Sequence, residues 1–225
     1  MNIRNIGGNG LSRVDKYEIR KSVVDLLRFL KRHYRYKELS AITDLHITAL
    51  SRYKQGYIFP NYFTSMQLYL KLKPLLMKQI RKIIFDNDAS EIFRPEILKI
   101  LAKIILYEIV GRRVTKILAF EDMAPLATAV SLQTNVPFVL ITTMAKTNYG
   151  SYLIIPIPVG DIYINYYLPR KMINSKDDIL FVDLEITEIK KKVLEKIEEA
   201  KKIEITKKII LKEFFKEENL NKQII

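Results

Sequence analysis

The chain has 225 residues, a net charge of +13, 48% hydrophobic and 10% aromatic residues, and no cysteine. That length holds one large domain, or a small one plus a medium one, with a proper core; the composition excludes disulfides, thiolate zinc sites and cysteine nucleophiles. No run of eighteen apolar residues occurs, because Lys99, Lys103 and Glu108 interrupt the most apolar helical stretch and Pro156 and Pro158 break Tyr152 to Val159, so no membrane span is expected. The first residues show no apolar segment followed by small residues, so no secretory leader is expected and the chain is assigned to the cytoplasm.

Residues 1 to 13, with Gly7, Gly8 and Gly10 among polar neighbours, read as a flexible arm. From Asp15 to about Lys31, Ile19, Val23, Leu26, Leu27 and Leu30 recur at helical spacing. Two short helices are predicted next, Tyr36 to Ile42 and Ile47 to Gln55, the second closed by Gly56. A longer one runs from Thr64 to Phe85, entered or kinked at Pro74. The polar stretch Asp86 to Glu91, closed by Pro95, is the predicted domain boundary. Beyond it the rhythm changes. Helices are predicted over Pro95 to Val110, Pro125 to Gln133 and Glu188 to Lys201. Strands are predicted over Lys116 to Phe120, Pro137 to Thr142, Asp178 to Asp183 and Glu204 to Leu211, with a hairpin at Ser151 to Pro158 and Asp161 to Tyr167. Strands alternating with helices of this length indicate an α/β domain with a mainly parallel sheet.

The charge is uneven. Residues 1 to 85 carry 17 Lys and Arg against 5 Asp and Glu, a balance of +12, whereas the remainder carries 21 against 20. Such asymmetry is the footprint of a module that follows a phosphate backbone, although on charge alone a solvated basic surface explains it equally well.

The segment Tyr36 to Gly56 resembles the helix-turn-helix of phage-repressor-type proteins. Leu39, Leu45, Leu50 and Tyr53 fall where that motif places its internal apolar residues. Ser40 stands where Ala is usual, and Asp44 stands at the turn position usually held by Gly; Asp tolerates the left-handed conformation better than most residues. The resemblance implies that Ile47 to Lys54 is a recognition helix for the major groove, offering Thr48, Ser51 and Arg52, with His46 at the turn. Arg52 would read guanine, while Lys54, Tyr57, Arg4 and Arg13 would hold phosphates. The competing reading is a helical hairpin that docks on a neighbouring domain, and for His46 an inert surface position stands level with a DNA contact.

The stretch Val114 to Leu140, with Phe120-Glu-Asp-Met-Ala-Pro-Leu and Asn135-Val-Pro-Phe-Val-Leu, resembles a type I phosphoribosyltransferase. It is most similar to archaeal orotate-phosphoribosyltransferase-like proteins with an N-terminal helix-turn-helix, some of which regulate transcription. The resemblance implies a mainly parallel sheet flanked by helices over residues 92–225, joined by a connecting helix and linker over 63–91 to an all-α helix-turn-helix domain over 1–62. In the family, two adjacent carboxylates after the last core strand bind ribose hydroxyls of phosphoribosyl pyrophosphate, and a Gly-rich turn cradles its 5′-phosphate. Here the chain reads Val182-Asp-Leu-Glu-Ile-Thr-Glu-Ile-Lys-Lys191, with Leu184 for the second acid, no glycine, and Glu188 and Ile189 where phosphate would approach backbone. The basic residues expected after Leu140 are missing apart from Lys146.

The expectation is therefore a DNA-binding transcription regulator, a homodimer on double-stranded DNA, whose transferase-like domain is no enzyme. It has no catalytic residues, metal or cofactor. Glu121, Asp122, Lys146, Asp183 and Thr187 are expected as remnants of a site for a small nucleotide-like ligand. The alternative is an active orotate or purine phosphoribosyltransferase that uses phosphoribosyl pyrophosphate.

Overall fold

The computed structural model describes residues 13–85, 89–145 and 150–216, and the chain divides into two units, residues 1–112 with 215–225, and 113–214. The first is all helix. α1 (Arg13–Leu30), α2 (Tyr36–Thr43), α3 (Ile47–Gln55), α4 (Tyr62–Phe85) and α5 (Pro95–Ile109) follow in order, with a 3-10 turn at Ala89–Phe93. The apolar stripe read in α1 is its buried face: Ile19, Val23, Leu26, Leu27 and Leu30 are all at most 1% exposed. At about 1.5–3 kcal/mol for each such side chain, this stripe is a large share of the unit's core.

Pro74 lies inside α4 rather than at its entry. It is exposed, so the carbonyl left without a donor one turn earlier, at Leu70, lies on a face that water can reach.

The boundary expected at residues 86–91 is corrected, because the division falls at Arg112/Arg113 and α5 belongs to the first unit. Helical periodicity identified α5 without saying what covers it. Its Ile97, Leu101, Ile104 and Ile105 are buried, and it packs on α1. The Tyr107 ring stacks on Tyr69 with centroids 4.1 Å apart, and its hydroxyl donates to the Ile19 carbonyl at 2.7 Å.

The second unit is an α/β fold with a mainly parallel sheet. β1 (Lys116–Phe120), β2 (Phe138–Ile141), β5 (Ile179–Asp183) and β6 (Lys207–Ile210) form it in the order β2-β1-β5-β6, every neighbouring pair parallel. Both central strands are buried almost throughout, as a parallel sheet covered on both faces requires. Leu118, Phe120, Ile179 and Phe181 share a core with Val193, Leu194 and Ile197 of α7 (Glu188–Lys201), while α6 (Ala124–Thr134) packs beside β1 and β2. An antiparallel hairpin, β3 (Tyr152–Val159) and β4 (Ile162–Pro169), is tied to the end of β2 through the reciprocal Thr142–Tyr167 bridge. A four-residue α8 (Leu211–Phe214) ends the unit.

Asn135 holds the left-handed conformation, φ 56°, that was expected of it in place of glycine. Among the described residues no helix is long and apolar enough to cross a membrane.

Candidate functional site

Two places in the fold collect the residues singled out from the sequence. The first is α3 and the turn before it. Asp44 closes α2 in the left-handed conformation, φ 57°, and its N–H donates to the Ser40 carbonyl. Ser40, where alanine was expected, has a use: its hydroxyl donates to the Leu45 carbonyl at 2.7 Å and braces the turn. Lys71 of α4 holds the same turn through the Asp44 carboxylate and the Thr43 carbonyl.

His46 is the N-cap of α3. Its ring Nδ1 accepts from the Thr48 N–H at 3.3 Å and lies 3.0 Å from the Thr48 hydroxyl. That gives His46 a structural task the sequence reading had not assigned to it. Thr48, Arg52 and Tyr57 are exposed, whereas Ser51 and Lys54 are half-buried. Arg28 of α1 donates to the Lys54 carbonyl, and Arg20 donates to the Pro60 carbonyl. These two bonds fix the segment after α3 and leave Tyr57 78% exposed. Arg4 and the side chain of Arg13, expected to hold phosphates, lie outside the described residues.

The second place is the carboxyl end of the parallel sheet. β1 leads through α6 to β2 on one side, and β5 lies on the other side of β1, so the chain changes direction between β1 and β5. In open α/β sheets such a switch point opens the crevice where ligands bind. Asp122 follows β1, and Asp183 is the last residue of β5.

Lys190 joins them. Its Nζ donates to Asp122 Oδ2 at 2.8 Å and to both Asp183 oxygens at 2.9 Å, and it lies 5.0 Å from the centroid of the Phe120 ring. Phe120 in turn takes the edge of Phe181, and Tyr166 of the hairpin meets Phe120 nearly perpendicular.

Asp183 is fully buried, and burial pushes its carboxyl up to about 6 despite the opposing pull of Lys190 and of the Leu184 N–H, which donates at 2.7 Å. Burial pulls the Lys190 ammonium down, but its bonds to the two carboxylates outweigh this and hold its pKa above the usual value. Burial also raises the Tyr166 hydroxyl. Asp183 is thus a charge kept ionised near neutrality by one lysine. The sequence alone assigned no role to Lys190.

The other expected ligand residues fall elsewhere. Glu121 Oε1 accepts from the Thr143 N–H at 3.0 Å and from its hydroxyl at 2.5 Å, which ties the loops after β1 and β2 together. Thr187 caps α7 by accepting from the Lys190 N–H at 3.3 Å. Ile189, expected where phosphate would approach backbone, is half-buried and packs against the core from the first turn of α7. Glu188 is exposed at the start of α7, where a carboxylate suits the helix dipole. Lys146 lies outside the described residues.

No family model matches this sequence, and no curated protein matches it. Solved structures are similar to it in fold. Adenine phosphoribosyltransferase from Thermoanaerobacter pseudethanolicus is 14% identical with a TM-score of 0.48, over 56% of this chain and 74% of that one. The enzyme from Leishmania donovani is 17% identical with a TM-score of 0.45, over 67% of this chain and 76% of that one. The one from Giardia lamblia, complexed with 9-deazaadenine, is 17% identical with a TM-score of 0.45, over 60% and 80%. The expectation that this chain is no enzyme is corrected to this extent: the structures just named are those of adenine phosphoribosyltransferases, and the likeness is one of fold alone.

Proposed function

We propose that the second unit takes a phosphoribosyl compound at the switch point, and that the first unit binds duplex DNA through α3, so that the chain acts as a DNA-binding regulator with a phosphoribosyltransferase-like ligand unit. The observation that carries the reading is the cluster of Asp122, Asp183 and Lys190 at the carboxyl ends of β1 and β5, where the sheet order switches. Asp122, which is exposed, can offer a carboxylate oxygen to a sugar hydroxyl, while Asp183 is buried beneath it on Lys190. For DNA, what speaks in favour is a short helix capped at both ends that presents Thr48 and Arg52, on a segment with a charge balance of +12. Two copies related by a two-fold axis would address two half-sites, which makes a homodimer part of the proposal.

A second reading is phosphoribosyl transfer to orotate or a purine base. Asp183 favours it, since a carboxylate at the end of β5 is what the family resemblance requires for ribose hydroxyls. Differential scanning fluorimetry with phosphoribosyl pyrophosphate tests the site; no shift of the transition at saturating ligand would sink the ligand reading. Incubation with the same ligand and adenine or orotate, followed by chromatography, decides for or against transfer. A gel shift on randomised duplexes with selection tests the DNA half, and failure to enrich any sequence would count against it.

A further inference from the structure

An ammonium has three N–H bonds to give. All three of those on Lys190 have a carboxylate oxygen in reach: Asp122 Oδ2 at 2.8 Å, Asp183 Oδ1 at 2.9 Å and Asp183 Oδ2 at 2.9 Å. The arrangement is not that of a surface lysine that happens to lie near acids. Its side chain is 16% exposed, that of Asp183 is 0% exposed, and the Phe120 ring lies beneath the charge. The remaining donor to Asp183 is the N–H of Leu184, which approaches Oδ1 at 2.7 Å.

Two carboxylates brought together at the ends of neighbouring strands, Asp122 just after β1 and Asp183 at the end of β5, are an arrangement that, beside a phosphorylated ligand, commonly takes a hard divalent cation to hold carboxylate and phosphate oxygens together. Such a cation would use the same carboxylate lone pairs that Lys190 now occupies. It would also bring a double positive charge to within a few ångströms of the ammonium, a repulsion that low local dielectric strengthens.

We propose that Lys190 is the resident cation of the switch-point site: it takes the place of a divalent metal ion between Asp122 and Asp183, so that the site binds its ligand without one. The inference deepens the ligand reading given above and rests on it for the ligand, but not for the cation. Lys190 is a positioning residue in this account. It neutralises Asp183 and fixes the direction of the Asp122 carboxylate, whose outer oxygen is left for a sugar hydroxyl.

The test is Mn2+ titrated into the full chain and into Lys190→Met, followed by loss of the free-ion signal in electron paramagnetic resonance. Methionine keeps an unbranched apolar chain one atom shorter and removes the charge. The expected result is one Mn2+ bound by Lys190→Met, roughly tenfold or more tighter than any binding by the unaltered chain, and no gain in Lys190→Arg. Equal binding by the unaltered chain and Lys190→Met overturns the inference, and so does absence of binding in a folded Lys190→Met. Where Lys190→Met does not fold in EDTA, the readout becomes its thermal transition; restoration by Mn2+ supports the inference, and failure to restore it overturns it. Ribose 5-phosphate titrated calorimetrically in EDTA and in MgCl2 separates the two readings. Similar affinity in both buffers is expected. A strict requirement for Mg2+ overturns the resident-cation inference while leaving the ligand site intact. Absence of heat in both removes the ligand reading, and the Mn2+ result still decides the role of Lys190.

Discussion

The guanidinium of Arg28 donates from Nε to the main-chain carbonyl of Lys54 across 2.7 Å, so a side chain of α1 closes the last turn of α3. The same group pairs with Asp25 at 2.8 Å, and Asp25 in turn meets Lys103 at 3.1 Å. The carboxyl end of α3 is thereby held to α1, while its amino end is closed locally by the His46 cap.

Gly56 sits against that guanidinium with φ 80°, and a Cβ there would come within 2.9 Å of Arg28 Nη2. Gly56→Ala therefore meets both left-handed strain and a displaced Arg28. A loss of about 1–2 kcal/mol in urea denaturation is expected, the larger part from the backbone. Arg28→Ala should cost no more than about 1 kcal/mol, since the group is half exposed. A neutral Gly56→Ala would refute this account of the end of α3.

Arg52 is exposed on α3, and on the proposed DNA reading the +12 balance of residues 1 to 85 would supply contacts of no sequence preference. Arg52→Ala should weaken binding to a selected duplex by about 1–3 kcal/mol and leave binding to random duplex nearly unchanged. Affinity for either should fall steeply with salt. Equal losses on both duplexes would make Arg52 a phosphate contact and not a reader of sequence.

Tyr107 buries its hydroxyl on the Ile19 carbonyl. Tyr107→Phe keeps the stack on Tyr69 and removes the hydroxyl with its bond to Ile19, so a loss of about 1–2 kcal/mol is expected from denaturation. An unchanged midpoint would mean that water replaces the hydroxyl.

Asp183 has a folded-state pKa raised to about 6 by burial. A raised pKa contributes stability that is present below the unfolded value and lost as pH rises through the folded one. Relative to Asp183→Asn, the unaltered chain should therefore lose stability between about pH 4 and pH 6 and hold a constant difference above pH 7. Melting temperatures of the two chains across this range provide the check, and a constant difference from pH 4 to pH 7 would refute the shift.

The parts legible in the sequence are those that local chemistry marks. α3 is predicted to the residue because Gly56 ends it, and α7 runs over the predicted Glu188 to Lys201, with the Thr187 cap at its start coming from the structure. Asp122 and Asp183 stand out as acids at the ends of apolar runs. What was not legible depends on pairing across the chain. Periodicity gives α5 a helix but not a neighbour, hence its assignment to the wrong unit. Lys190 lies seven positions after Asp183 and 68 after Asp122, and nothing local shows that the first turn of α7 points it back to both. The capped turn at Thr187-Glu-Ile-Lys190 was the one available signal, because a cap at a strand's end fixes where the third helical residue faces.

The sheet order also sets a timetable for synthesis. β1 finds β2 about 20 residues later, but its other neighbour, β5, starts more than 60 residues after it, at Ile179. At a ribosomal pace of about 5–20 residues per second, β1 waits about 3–12 s with one edge open before β5 can close it. β6, which continues the sheet beyond β5, emerges later still. The apolar strand Lys116–Phe120 is thus the segment of the nascent chain that most needs cover, and the early pairing with β2 and α6 gives it cover on one side only.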